Sequence, residues 1–262
     1  GNWFTKYKNT SLPERDRFFE NKNGKFVEVD ILEGETDQNA DRTMYVNAAP
    51  TFAAQVCDMD LNGFPDILTS STNSYLNKLW MNMYKTRVQK RYFKDYGVLS
   101  SYAGDPEGIL NSRGGGRTFA AACADYNNDG IMDAFMGEVS HNHDSDSVDK
   151  SSILTGSTMK LPPKFLRTEY ALDANDLRWN QSDKRGIWFD FNNDGLLDLW
   201  VDNSGYPPHT RTLLFKQYPD HSFENVSKEQ GVDFVNPSSS VIIDVNADGK
   251  LDILSAQTDL RD

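Results

Sequence analysis

Long apolar runs are missing from this sequence. No segment approaches the roughly 18 consecutive apolar residues that a membrane-spanning helix requires, so we expect no membrane span. Basic residues are also scarce, with 27 Lys and Arg against 39 Asp and Glu, and the formal charge of −12 disfavours nucleic acid as a partner. Hydrophobic residues still make up 38% of the chain, which is enough to bury the core of a globular protein.

Cysteine is nearly absent, and the two that occur are Cys57 and Cys123. Each lies just before an Asp-rich segment, one residue ahead of Asp58 and two ahead of Asp125. On a β-strand a one-residue difference reverses the face of the side chain. We therefore expect two small buried core residues rather than a disulfide, and the count does not indicate a redox compartment.

Catalytic signatures are missing as well. The sequence has no G-x-S-x-G nucleophile elbow, no H-E-x-x-H zinc motif, and no Cys/His pair in a suitable local context. We therefore expect no enzymatic activity.

What the sequence does contain is one pattern repeated four times, Asp-x-(Asp/Asn)-x-(Asp/Asn)-Gly-x-x-Asp. The copies occupy 58–66, 125–133, 190–198 and 244–252, and read DMDLNGFPD, DYNNDGIMD, DFNNDGLLD and DVNADGKLD. Short apolar, β-rich segments precede and follow every copy. Such flanks on both sides of a glycine turn predict a β-hairpin with the loop at its tip.

This spacing suits Ca²⁺, a hard cation that takes six to eight oxygen ligands. Side chains at loop positions 1, 3 and 5 converge when the backbone curls, the glycine at position 6 permits the turn, position 7 offers its carbonyl, and the Asp at position 9 closes the shell, by our expectation through both oxygens. The predicted ligands of about four ions are Asp58, Asp60, Asn62, Phe64 and Asp66; Asp125, Asn127, Asp129, Ile131 and Asp133; Asp190, Asn192, Asp194, Leu196 and Asp198; and Asp244, Asn246, Asp248, Lys250 and Asp252.

EF-hands, magnesium sites and simple turns fit these loops less well than calcium sites do. An EF-hand needs a Glu at position 12 and flanking helices, whereas position 12 is here Thr69, Met136, Val201 or Ser255. Mg²⁺ keeps more of its water than such oxygen-rich loops allow. Asp, Asn and Gly also form ordinary turns, but turn formation alone does not account for four copies in one register. The twelve loop aspartates equal the net charge in number, so four Ca²⁺ would reduce the formal charge from −12 to −4.

A second pair of predicted strands follows the loops. LWMNMY with KRYFKDYGV, and LLFKQY with SFENVS, have this form; FLRTEY is less clear, and RFFENKNGKFVEVD has the same form ahead of the first loop. Each repeat is thus about four strands, as in a propeller blade. We expect an all-β propeller over 18–262 with a calcium loop in each of four visible blades, preceded by an N-terminal extension over 1–17.

On these loops and strands the chain resembles the FG-GAP/VCBS repeat family, the calcium-loop blades of integrin α heads and of many secreted proteins. The segments NKNGKFVEV and DHSFENVS resemble its cartilage-acidic-protein-like branch. The resemblance covers roughly 18–255. It implies a β-propeller with calcium loops on one face and a non-catalytic role in adhesion or recognition. Most members have about seven blades, more than this chain supplies.

Two arrangements of the blades remain open. The N-terminal strands 18–29 could complete the last blade by pairing with 250–256, which would close a four-bladed ring. Alternatively the chain is part of a larger propeller. The sequence starts at Gly1 without Met or a targeting signal, so we expect a processed form or a fragment, with any signal outside these residues.

The function expected from the sequence is that of a calcium-binding adhesion, recognition or assembly module with a protein or glycan partner. Loops that suit millimolar calcium favour an extracellular, cell-surface or periplasmic location, and Asn9, Asn180 and Asn225 lie in Asn-x-Ser glycosylation sequons. The alternatives are the propeller domain of a secreted hydrolase, or a lectin that holds sugars against Trp80, Trp188 or Trp200.

Overall fold

A computed structural model describes residues 14–40, 42, 44–72, 75–105, 116–140, 149–170, 181–204 and 211–257. The regular secondary structure in this part of the chain is almost entirely β, with one short α-helix, α1 (Gly97–Ser100), and a 3₁₀ turn at Thr86–Val88. None of its helices combines the length and apolarity needed to cross a bilayer. The strands are β1 (Phe18–Lys22), β2 (Lys25–Val29), β3 (Thr51–Cys57), β4 (Asp66–Ser71), β5 (Lys78–Lys85), β6 (Lys90–Asp95), β7 (Thr118–Ala124), β8 (Asp133–Ser140), β9 (Ser152–Thr158), β10 (Lys164–Glu169), β11 (Gln181–Phe189), β12 (Asp198–Asn203), β13 (Leu213–Gln217), β14 (Phe223–Asn225), β15 (Pro237–Ile243) and β16 (Asp252–Gln257).

The strands repeat as antiparallel units in which consecutive strands pair. We call β3–β6 unit 1, β7–β10 unit 2, β11–β14 unit 3 and β15–β16 unit 4; β1–β2 is the N-terminal hairpin. A short pairing of β8 with β11 joins units 2 and 3 into one eight-stranded sheet. The fold is therefore all-β and propeller-like, with three four-stranded repeats and a fourth repeat that has two strands among the described residues.

The apolar segments that flank the loops form the predicted strands. The segment TFAAQVC is β3 and TFAAACA is β7, and each pairs with the strand that begins at the last Asp of its loop. The second strands, β4, β8 and β12, are almost fully buried, and each lies between the first and third strands of its unit. The less clear strand prediction, FLRTEY, coincides with β10.

The first two strands of each unit form a hairpin, which we call the inner hairpin. Every inner hairpin also has a register irregularity at the end away from its loop. It falls between Thr51 and Ala53, Thr118 and Ala120, Asp183 and Arg185, and Pro237 and Ser239. A bulge of this kind bends a strand and increases its twist. The four units thus share a β-bulge in the inner hairpin as well as the loop at its tip.

The hydrophobic core lies between successive units. Between units 1 and 2, Leu68 and Leu79 share a buried cluster with Ala134 and Met136. Between units 2 and 3, Phe135 packs in one cluster with Leu199 and Val201; a third cluster, around Trp200, is bordered by Ile242 and Ile253 of unit 4. Each unit is therefore stabilised by its neighbours, as in other repeat proteins.

The cysteine prediction was wrong, because Cys57 and Cys123 form a disulfide. Alternation of faces relates residues of one strand, whereas Cys57 is the last residue of β3 and Cys123 the next-to-last of β7, in two different units. Their Cα atoms lie 6.6 Å apart, within the range that a disulfide spans. The bond links units 1 and 2 covalently.

The pairing required by a closed four-bladed ring is also wrong. Strand β1 pairs only with β2, and β15 only with β16, among the described residues. The N-terminal hairpin instead lies beside unit 1, where the Phe18 and Phe93 rings are 5.9 Å apart and the amide of Glu33 donates to the Phe93 carbonyl. Its contact is with the first unit, not with the last.

Buried polar side chains connect the units at the end away from the loops. The Asn77 amide donates to the hydroxyl of Thr118 (2.8 Å), which links unit 1 to unit 2. The Asp202 carboxylate of unit 3 accepts hydrogen bonds from the Ser240 amide (2.8 Å) and hydroxyl (2.5 Å) of unit 4 and from the Trp200 indole N–H (2.9 Å). Because both partners of each hydrogen bond between units are buried, water does not compete for the donor or the acceptor.

We predict that Asp202→Ala lowers the free energy of unfolding by about 3 kcal/mol, because it leaves buried donors of Trp200 and Ser240 without an acceptor. Urea denaturation measures the loss. The matched control is Asp220→Ala, at an exposed turn between β13 and β14, which is expected to have little effect. Equal stability of the two variants would contradict a linking role for Asp202.

Candidate functional site

The four predicted loops have one hydrogen-bond pattern. The position-1 carboxylate accepts the backbone amides of positions 5 and 6, so that Asp58 binds the amides of Asn62 (3.0 Å) and Gly63 (2.7 Å). Asp125, Asp190 and Asp244 make the same pair of contacts at 2.8–3.1 Å. Each loop is thus curled around its first aspartate.

Positions 3 and 5 always contain one Asp and one Asn. In loop 1 the Asn62 side chain donates to Asp60 (2.9 Å). The order is reversed in the other loops, where the Asn at position 3 donates to the Asp at position 5 at 2.8–3.1 Å. The amide of the position-7 residue donates to the side chain at position 5 in every loop. The use of the position-7 carbonyls as ligands stays a prediction.

Two backbone positions in each loop have positive φ. Glycine at position 6, such as Gly63 (φ 85°), was predicted from its freedom in this region. Position 4 is also left-handed, with φ from 53° to 59° at Leu61, Asn128, Asn193 and Ala247, and it was not predicted. Asn at two of these positions was the available signal, since Asn tolerates this conformation better than most residues.

The position-9 aspartate joins the loop to the outer strands. Asp66 Oδ2 accepts the Met59 amide of its own loop (2.8 Å), and Oδ1 accepts the Asn82 amide of β5 (2.7 Å). Asp133 and Asp198 repeat this arrangement with the third-strand amides of Gly156 (2.7 Å) and Gln217 (2.8 Å). Each carboxylate oxygen keeps another lone pair with which it can bind an ion. These third-strand donors were missed because backbone amides carry no sequence signal.

Loop 1 offers the clearest fit to a cation. Carboxylate oxygens of Asp58, Asp60 and Asp66 lie within 4.8 Å of one another. Asp60 Oδ1 is buried and has no hydrogen-bond partner, which leaves a desolvated anionic oxygen to be satisfied. Oxygen donors at this spacing are the set that Ca²⁺ takes. The residues therefore fit the predicted ion.

Burial raises the pKa of the position-9 carboxyls of Asp66, Asp133 and Asp198 to about 6. The loop aspartates at the other positions add repulsion that acts in the same direction, whereas the two backbone amides on each carboxylate oppose it. Burial likewise raises the pKa of Asp60. Without a cation, negative charge in these loops is disfavoured.

This predicts an inverse pH dependence for the metal-free protein. From about pH 4 to about pH 6 the native state holds protons on these carboxyls that the unfolded chain has released, so the free energy of unfolding falls as pH rises. In EDTA, the melting temperature should be lower at about pH 7.5 than at about pH 5. With saturating Ca²⁺ the difference should shrink, because the ion then neutralises the carboxylates. A metal-free melting temperature that rises over this interval would contradict the loop electrostatics.

Loop 4 has the same internal contacts as the other loops, but its position-9 aspartate lacks a third strand beside it among the described residues. Asp252 Oδ2 accepts the Val245 amide (3.1 Å), as its equivalents do. Unit 4 has no third strand among the described residues, so Asp252 is half-buried, whereas Asp66, Asp133 and Asp198 are fully buried.

Two of the three tryptophans named for a lectin site, Trp80 and Trp200, are buried in the core and are not available for stacking on a sugar. Trp188 is half-buried and stacks on Tyr126 with ring centroids 5.5 Å apart. Of the three sequons, Asn225 is exposed at the end of β14, and Asn9 and Asn180 lie outside the described residues.

An aromatic cleft lies between units 2 and 3. Its cavity of about 320 Å³ is lined mainly by Tyr126, Tyr170, Phe215 and Phe223, with His221 near the turn between β13 and β14. Sequence patterns did not indicate it because its walls come from two different units.

Comparison with known families gives a match to the C-terminal part of the chain. Residues 190–255 match the profile of the FG-GAP-like repeat family. The matched segment begins at position 1 of loop 3 and ends in β16, so it includes both loops 3 and 4. The resemblance to FG-GAP/VCBS repeats is confirmed over this segment. A comparison with curated proteins found no match.

Proposed function

From an FG-GAP-like repeat in a propeller-like fold, we propose that the chain is a calcium-binding, non-catalytic recognition or assembly module outside the cytoplasm. The observation that carries the proposal is the buried Asp60 Oδ1, an anionic oxygen without a hydrogen-bond partner beside Asp58 and Asp66. The hydrogen-bond pattern that the four loops share extends the proposal from loop 1 to about four ions.

Calcium would act here mainly on structure. Bound at a loop, the ion supplies positive charge to carboxylates that are otherwise costly to ionise in the folded state. The position-9 aspartate connects that loop to the third strand through Asn82, Gly156 or Gln217. An occupied loop would therefore stabilise both the inner hairpin and the outer strands of its unit.

The disulfide supports a location outside the cytoplasm. Bonds such as Cys57–Cys123 persist in oxidising compartments and are rare where glutathione and thioredoxin keep thiols reduced. Extracellular fluid also supplies the millimolar calcium to which weak loops respond. The partner in this proposal is a protein or glycan that contacts the loops of the rigid β scaffold.

Calorimetric titration of the metal-free chain with Ca²⁺ tests the proposal. We expect about four ions per chain. Asp60→Ala removes a predicted ligand and should reduce the number by one, whereas Asp220→Ala, outside the loops, should leave it unchanged. The absence of Ca²⁺ binding by the folded wild-type chain would refute the proposal.

Glycan binding is a second candidate, favoured by the aromatic cleft between units 2 and 3. Aromatic faces pack against the C–H faces of sugar rings, and the half-buried Phe223 provides such a face beside His221. A glycan array with wild type and Phe223→Ala tests this candidate. If wild type binds a glycan and Phe223→Ala does not, the chain is a lectin. If wild type binds no glycan, a protein partner remains the proposal.

A further inference from the structure

Unit 4 lacks, among the described residues, the cover that the other units have. In units 1 to 3 the residue two positions after the position-9 aspartate packs against the next unit, so Leu68, Phe135 and Trp200 are fully buried. The equivalent Leu254 is 70% exposed, and β16 pairs only with β15 in the described part of the chain. Val245 is 74% exposed, whereas its equivalents in loops 1 and 2 are buried. The edge of β16 therefore presents core residues to solvent.

The N-terminal hairpin has the pattern of the missing strands. In each complete unit, the third-strand residue whose amide binds the position-9 aspartate pairs across from a phenylalanine. These pairs are Asn82 with Phe93, Gly156 with Phe165, and Gln217 with Phe223. In the hairpin, Asn21 pairs with Phe26. The outer edge of β1 has no partner strand among the described residues.

A cavity lies between the N-terminal hairpin and unit 1. It measures about 370 Å³, and its walls are Phe18 and Phe19 of the hairpin on one side and Ile67 and Thr69 of unit 1 on the other. At the boundary between units 1 and 2, Leu68 shares a cluster with Ala134 and Met136, the equivalents of Ile67 and Thr69 one unit later. A strand such as β16 would place Leu254 against this wall.

We propose that unit 4 of one copy of this chain inserts between the N-terminal hairpin and unit 1 of a second copy. In the register of the complete units, Leu254 pairs with Phe18 of the second copy, and Ile253 with Phe19. The Asn21 amide then donates to Asp252 Oδ1, which accepts no amide from the described residues of its own chain. The contact is head-to-tail, so copies assemble into rings or open chains.

The charges of the hairpin tip and of loop 4 also favour unit 4 of another copy as the inserted element. The hairpin tip carries Lys25 and also Lys22, whose Nζ lies 3.1 Å from Glu20 Oε2. In the proposed register it lies beside loop 4, whose Asp244, Asp248 and Asp252 outnumber the single Lys250. Unit 1 provides a precedent, since Arg91 of its outer strands lies over the Phe64 ring of loop 1. Complementary charge of this kind assists encounter and fixes register.

Sedimentation velocity of the full chain tests this assembly. We expect the mean mass of wild type to rise with concentration to at least that of a dimer. Leu254→Lys places a charge at the interface at little cost to the monomer, and should leave only monomers. The matched control is Leu166→Lys, also an exposed leucine on a strand (68%) but outside the interface, which should assemble as wild type does.

Mixing two variants makes the test independent of overall stability. Phe19→Lys disables the hairpin side and Leu254→Lys the unit 4 side, so each alone should be monomeric. Mixed in equal amounts they retain one intact pair of surfaces and should form a 1:1 dimer of twice the mass. The proposal is overturned if wild type stays monomeric at every concentration, if the mixture stays monomeric, or if Leu254→Lys and Leu166→Lys assemble alike. Saturating Ca²⁺ is kept throughout, and circular dichroism verifies that every variant is folded.

Discussion

Removal of calcium with excess EDTA is expected to lower the melting temperature of this chain by roughly 20 °C or more. A ligand that binds only the folded state at 100 times its dissociation constant adds about 2.7 kcal/mol per site. Four such sites would add about 11 kcal/mol, which is comparable to the whole stability of an ordinary domain. Thermal unfolding followed by circular dichroism measures the shift, and added Ca²⁺ should reverse it.

The control is EDTA saturated with Ca²⁺ beforehand, which should leave the melting curve unchanged. Mg²⁺ in place of Ca²⁺ should restore little of the lost stability, because it retains much of its own water. A metal-free protein that melts at the same temperature as the calcium-loaded protein would refute the structural role of the loops.

Loss of the disulfide should have the second-largest effect. Cys57 and Cys123 are 66 residues apart, and closure of a loop of this length restricts the unfolded chain. We expect the double variant Cys57→Ser, Cys123→Ser to lose about 2–4 kcal/mol of unfolding free energy, measured by urea denaturation in Ca²⁺. Reductant should destabilise wild type by a similar amount and have no further effect on the double variant. Detection of two free thiols in oxidised, folded protein would contradict the bond.

The same bond should act locally on calcium. Cys57 precedes Asp58, and Cys123 lies two residues before Asp125, so the disulfide fixes the entrances of loops 1 and 2 relative to each other. Reduction is therefore expected to weaken Ca²⁺ binding at these two loops more than at loops 3 and 4. Titration of the reduced chain should then separate two classes of site.

The inner hairpins and their loops could be predicted from the sequence because one pattern recurs four times in the same setting. The glycine at position 6 and the acidic positions have strong residue preferences, so Gly63 or Asp66 could be assigned from residue type alone. The third-strand amides of Asn82 and Gln217 could not, since every residue type except proline carries a backbone amide.

The other predictions that failed concerned contacts between units. The cysteine prediction applied the alternation of a single strand to residues in two units, where the approach of β3 and β7 decides the distance. The pairing expected between 18–29 and 250–256 failed for a related reason. Matching sequence patterns identify compatible strands, but they do not specify whether the partner belongs to the same molecule.

The boundaries between units also differ in how they would respond to a pulling force. Units 1 and 2 share a covalent bond, and units 2 and 3 share a continuous sheet and the contact of Gln217 with the Tyr126 carbonyl. Unit 4 is held by the border of one apolar cluster and by polar contacts that include Asp202 with Ser240. Tension applied through the two ends of the chain would therefore separate unit 4 first and leave units 1 and 2 tethered. An adhesive protein built this way would yield in stages, and it could recover its shape when the load is released.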